Sequence, residues 1–232
     1  MALPEMSALD LDVIAVALFV ATALGYGYIT AIESVAQRSI AGAVQRQRER
    51  WMANMAARDV RIVDAQLLGG LSQGNAFFAS TSAIIIGGLA ALMGSGDKVH
   101  ALLERLPFVA RSTPTLFEMK LLLMVGIFVM AFFKFAWAFR LSHYAAIMIG
   151  ATPILAPDNH HLCAGHAKRT AHLIGLAADH ANTGLRAFYY GIAAMAWFFQ
   201  PVAFMIATVW VLGILIRRDF FSRSRRLMMA ED

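Results

Sequence analysis

Charge is scarce in this sequence. Only 15% of its 232 residues are Asp, Glu, Lys or Arg, whereas 59% are hydrophobic, and mean hydropathy is +0.61. A water-soluble domain of this length needs more charge to wet its surface, so that class is excluded. Cysteine is nearly missing too: Cys163 stands alone, which rules out an intrachain disulfide. The chain has no GxSxG, no phosphate-binding glycine loop, no HExxH, no CxxCH for attached haem and no pair of carboxylates inside an apolar run. Its first residues, MALPEMSALDLDVIAV, lack the basic region and small-residue cleavage site of a signal peptide. They are expected to lead into a retained membrane helix.

What the sequence does have is long apolar runs. A bilayer core of roughly 30 Å needs about 20 apolar residues in a helix. Residues 11–32, 75–93, 116–139 and 188–216 each meet that length. Backbone groups in lipid must be satisfied internally, so these runs are helices. The expectation is an all-α polytopic protein: one integral-membrane domain over residues 1–232, with four transmembrane helices and amphipathic interfacial helices in the connections. Net charge is +5, but the basic clusters QRQRER (45–50) and RRDFFSRSRR (217–226) lie outside the runs. That placement suits lipid head groups and argues against nucleic acid.

The first connection is too long for a turn. Ile40, Val44, Trp51, Met55 and Ile62 fall on one arc at helical spacing, interrupted by Arg58. This predicts an amphipathic helix in the interface or docked on the bundle. GSGD (94–97) is a turn signal closing the second run, and AKRTAHLIGLAADHANTGLR (167–186) reads as a helix. Orientation is nearly balanced. With the amino end outside, ten basic residues face the cytoplasm and eight do not. A fifth crossing or re-entrant piece within 145–157 would bring the basic tail inside.

Few residues suggest chemistry. Lys134 lies inside the third run, where a charge is costly unless paired or snorkelling to the interface. Glu118 and Lys120, at the other end of that run, read as interfacial anchors. Gln200–Pro201 predicts a kink in the fourth run, because proline has no N–H for the carbonyl of Trp197. With Asn75 and Lys134 this pair could line a solute path. The connection PDNHHLCAGH (157–166) offers Asp158, His161, Cys163 and His166 as metal ligands, with haem as a further possibility. Interfacial or carboxylate-paired histidines are the plainer reading. Ala79, Ala83, Gly87 and Ala91 recur every four residues, as do Ala17, Ala21 and Gly25, letting helix backbones approach closely within one chain or between chains.

WMANMAARDVRIVDAQLLGGLSQGNAFFASTSAIIIGGLAALMG (51–94) and NTGLRAFYYGIAAMAWFFQP (182–201) resemble two blocks of a known family. These are the small bacterial and plant membrane proteins catalogued as domain of unknown function five hundred and ninety-nine. Arg61, Asp64, Asn182, Gly184 and Arg186 belong to the resembling pattern, which implies a polytopic helical fold and transfers no catalytic or ligand residue. From their positions just outside two runs, Asp64 and Arg186 are expected to form an ion pair. Three readings of function follow. The leading one is a non-enzymatic subunit that self-associates or joins a larger membrane complex, in the bacterial inner membrane. That location follows from the resemblance and from sixteen arginines against four lysines. The others are a channel or small-solute transporter, and a metal- or haem-binding protein.

Overall fold

Three described helices of this protein are longer than a bilayer core requires, and the excess length of the two longest shapes the rest. The computed structural model describes residues 8–95, 99, 113–156 and 158–230. The GSGD turn lies partly outside them, as does Pro157 of the histidine-rich connection. The elements are α1 (Ala8–Ala31), a single turn α2 (Glu33–Ala36), α3 (Ile40–Ala56), α4 (Ile62–Gly94), α5 (Pro114–Gly150) and α6 (His160–Met195). A 3-10 turn (Ala196–Phe198), α7 (Pro201–Phe221) and α8 (Arg223–Met229) complete the chain. No strand occurs among the described residues. Four helices are long and apolar enough to cross a membrane: Leu9–Ala31, Ile62–Gly94, Pro114–Gly150 and Pro201–Met229.

Local chemistry sets several boundaries. Thr113 accepts a hydrogen bond from the Leu116 amide at 3.2 Å, and Pro114 begins α5 where its missing N–H is harmless. Ser39 caps α3 and Ser222 caps α8 in the same way. The fourth apolar run departs from expectation. It is two segments rather than one kinked helix: α6 ends at Met195, Gln200 is fully extended (φ −164°, ψ 153°), and α7 starts at Pro201. The chain reverses there, since Trp197 of the turn stacks on Phe204 and Arg218 lies over Tyr189. No polar residue other than Gln200 marks the turn, so the run looked continuous.

At 1.5 Å per residue, the 37 residues of α5 and 36 of α6 extend about 55 Å each. They pack antiparallel along that length, with Lys120 beside Trp197, Phe135 against Gly184 and His166 beside Met148. A hydrocarbon layer holds about 30 Å of this. The remainder stands outside and is covered by α3 and the start of α4. There Met52, Met55, Leu68, Ala145, Ile149, Ala171 and Ile174 form a small core of their own. The amphipathic stripe thus docks α3 on the bundle, with Met55 fully buried, but stops before Ile62, which is exposed at the start of α4.

The membrane half has an aromatic core built around Phe19, Phe128, Phe135, Tyr190, Trp197 and Phe204. Its tightest seam joins α5 and α6. A Cβ at Gly184 would stand 2.7 Å from the Phe135 ring, and one at Gly191 would stand 2.9 Å from Phe128. By contrast α4 is peripheral. Its buried positions Leu68, Ser72, Ser82 and Leu89 form a narrow edge, and its main neighbour is α5.

Candidate functional site

Where α1 and α7 reach the cap, the helices part around a cavity of about 540 Å³. The turn after α1 makes it possible. Ser39 donates to the Ala36 carbonyl at 2.7 Å, and Gly42 sits where a Cβ would meet that same carbonyl at 2.5 Å. This close passage brings α3 back across the end of the bundle, so that Arg48 faces α6. Asp179 and Arg186, seven residues apart and therefore on one face of α6, line the opposite wall together with Asn182 and Thr183. Arg218 and Asp219 of α7 close the site.

The charged groups are held firmly. Arg186 donates to Thr30 Oγ1 at 2.7 Å and lies over the Tyr26 ring at 5.4 Å. Tyr26 donates its hydroxyl proton to Asp219 Oδ2 at 2.7 Å, and Arg218 Nε donates to Asp219 Oδ1 at 2.8 Å. Both carboxylate oxygens of Asp219 are therefore taken. Among the described residues, Arg48 bonds Gln45 at 3.5 Å, and the Nε of Arg186 is buried without a hydrogen-bond partner. Desolvation lowers the Arg48 pKa and raises that of the cavity-facing Asp179 carboxyl, the latter against the pull of Arg48 and Arg186. Arg48 and Asp179 also border a second cavity of about 490 Å³ that continues toward His172 and Glu49. The hydroxyls of Thr30, Ser39 and Thr183 are committed to backbone carbonyls, so what the cavity presents to a visitor is charge and the Asn182 amide.

A second buried polar cluster lies at the other end of the membrane half. Trp197 Nε1 donates to Asp12 Oδ1 at 2.6 Å, and Lys120 Nζ donates to the Trp197 carbonyl at 2.9 Å while lying over the indole at 5.3 Å. Lys120 is 3% exposed. It is not the interfacial anchor its place near the helix start suggested, because the α6–α7 turn folds over it.

The residues singled out in the sequence are scattered by comparison. Lys134 is near His180, whose pKa is lowered by desolvation and by this neighbouring charge. Gln200 is exposed at the α6–α7 turn, at the opposite end from Lys134. None of Lys134, Asn75 and Gln200 lines the three cavities found. Among the described residues, no three His, Cys, Asp or Glu side chains gather as a metal would need. Asp158 and His161 are exposed, His166 bonds the Met148 carbonyl at 2.8 Å, and buried Cys163 packs beside Asn159 and Pro153. The connection works as a helix start, with Asn159 Oδ1 accepting from the Ala156 amide at 2.8 Å.

Asp64 and Arg186 do not meet. Because α4 begins at Ile62, Asp64 lies inside the cap, where it accepts from Trp51 Nε1 at 2.7 Å and pairs with Arg58 at 3.4 Å. Arg186 stays beside Thr30. Sequence reasoning missed the partners Arg48, Asp179 and Arg218. The seven-residue spacing of Asp179 and Arg186 was the one signal available.

The small-residue ridge of α4 is open. Ala83, Gly87 and Ala91 are exposed, Ala79 is partly covered, and nothing lies within 4 Å of a Cβ built at Gly87 or Gly88. On α1, Ala17 and Ala21 are likewise exposed.

Over residues 14–224 the chain matches the family described as Protein of unknown function, DUF599. That is most of its length, and the chain belongs to this family. No curated protein and no solved structure matches it.

Proposed function

From this membership and from the open face of α4, we propose that the chain is a non-enzymatic membrane subunit that pairs with a second copy of itself. The carrying observation is the ridge Ala83, Gly87 and Ala91, which is exposed among the described residues, with nothing within 4 Å of a Cβ at Gly87. Lipid offers no hydrophobic drive for helix association, so close backbone approach along such a ridge supplies the packing instead. Native mass spectrometry from a mild detergent tests this. The wild type is expected as a dimer, and Gly87→Leu as a monomer with an unchanged melting temperature, since no described atom of its own chain lies within 4 Å of a Cβ there. A wild type that is monomeric in several mild detergents and in native membranes sinks the reading.

The topology proposed with it has five passes, the end of α6 making the additional one. The first connection, the third connection and the tail then share one side, with six, four and five basic residues. The α4–α5 connection, with Lys98, Arg105 and Arg111, takes the other. The positive-inside rule sets the basic side, and with it the arginine cavity, in the cytoplasm of a bacterial inner membrane.

A further inference from the structure

The cavity between α1, α3, α6 and α7 holds more hydrogen-bond donors than its walls can use. A guanidinium carries five N–H groups and no acceptor. Among the described residues, the side-chain partners of Arg48, Arg186 and Arg218 use one N–H group from each, at Gln45, Thr30 and Asp219. Asp219, the carboxylate that pairs with Arg218, also accepts from Tyr26 on its other oxygen. Asp179 faces Arg48 without closing into an ion pair, and Arg186 Nε is buried and unpartnered. The three arginines are half-buried, and the Arg186 Nε within the wall is the costliest donor to leave unmade. An acceptor-rich anion inside would take up the N–H groups the walls leave open.

The charge balance narrows its class. Three arginines and two aspartates leave one positive charge. A single negative charge neutralises it, as a phosphodiester does. Guanidinium forks match phosphate oxygens in geometry as well as charge. The position narrows it further. Gly27, Thr30 and Ala31 place the cavity at the last turn of a membrane-crossing helix, the depth of lipid head groups.

We propose that this cavity binds a phosphoryl anion at the membrane surface, the group shared by phospholipid head groups and free phosphate esters, through Arg48, Arg186 and Arg218. The site is independent of the assembly argued from α4, because it lies within one chain and on other helices.

Binding of dioctanoyl phosphatidylglycerol to the purified full chain, followed by native mass spectrometry and calorimetry, tests it. Inorganic phosphate and dioctanoylglycerol serve as comparison probes. Phosphatidylglycerol is expected to bind, with affinity reduced about tenfold or more in Arg186→Gln and in Arg48→Gln. Arg140→Gln, an exposed arginine elsewhere, is expected to bind like the wild type. Competition by inorganic phosphate would assign free phosphate esters as ligands too; its failure to compete would assign the lipid alone. The Arg48 variant guards against misfolding, since Arg48 lies on α3, outside the membrane half. Equal binding by the wild type and both variants, equal binding of dioctanoylglycerol, or no binding at all overturns the proposal.

Discussion

Lys120 donates to the carbonyl oxygen of Trp197 at 2.9 Å. In a continued helix that carbonyl would face the N–H of residue 201, which is proline and has none. The lysine therefore supplies the donor that the α6–α7 reversal removes, and its charge is shared with the indole beneath it. Replacement by methionine keeps the stem and deletes the donor. Lys120→Met is expected to lower stability by about 1–3 kcal/mol, the usual cost of a buried group left unsatisfied. Thermal unfolding in detergent reads this directly, and a melt equal to wild type would show the contact to be incidental.

Asp12 depends on the same turn. Trp197→Phe removes its indole donor and strands a buried carboxylate. Asp12→Leu in that background is expected to recover only part of the loss, because it removes the stranded carboxylate but also the counter-charge of buried Lys120. A double-mutant cycle should give a coupling between about 0.5 and 3 kcal/mol. Strict additivity would mean that the two side chains do not act together.

The α5–α6 seam tolerates no added atom at Gly184. The Phe135 ring it would meet is held on its other side by Phe78, stacked at 5.0 Å. Gly184→Ala is expected to cost about 1–3 kcal/mol through overpacking. Gly126→Ala on α5, with nothing within 4 Å, should be neutral or slightly stabilising. Equal melting temperatures for the two would contradict the close packing described.

Asp179 gives a prediction in pH. Its folded pKa is raised by desolvation, so the folded state binds this proton more tightly than the unfolded chain does. That advantage is complete below the unfolded carboxylate range and is lost as pH rises through the folded value. At neutral pH, ionising this carboxyl therefore costs more in desolvation than Arg48 and Arg186 return. Asp179→Asn should raise the melting temperature at pH ~7 and leave no gain near pH ~3. A gain of equal size at both values would point to a cause other than ionisation.

The proposed five-pass topology predicts Ser95 and Ala230 on opposite sides of the membrane. Cys163 is 2% exposed and gives little background to a thiol label. In intact cells, Ser95→Cys should react with an impermeant maleimide, whereas Ala230→Cys should react only after permeabilisation. Labelling of both from one side would require an even number of passes.

The apolar helices were legible in the sequence because lipid imposes length and composition together, and α3 was legible because its stripe at Val44, Trp51 and Met55 has a helical period. The α6–α7 reversal was not. Both of its arms are apolar and the turn spans only a few residues, so a 29-residue run was the sole hint. α6 was legible only in pieces, as a helix over 167–186 and the start of the fourth run, because it changes solvent midway, polar around His172 and apolar after Phe188. The cavity escaped because Arg48 reaches it only through the α1–α3 turn, a long-range contact with no local sign. Lys120 was misread because a lysine near a helix start ordinarily faces water, and the turn that covers it lies 77 residues away.

The unbroken length of α5 and α6 has a mechanical consequence. A pair of rods crossing the bilayer and continuing about 25 Å beyond it converts angle into displacement. Thinner or thicker lipid changes the angle at which such helices sit. A reorientation of about 10° would carry the outer end roughly 4 Å sideways relative to α1 and α7, which stop at the boundary. Gln47 donates to the Met228 carbonyl and Arg225 to that of Arg38, so the cap is tied to α8 at the end of α7 and a change of tilt loads that joint.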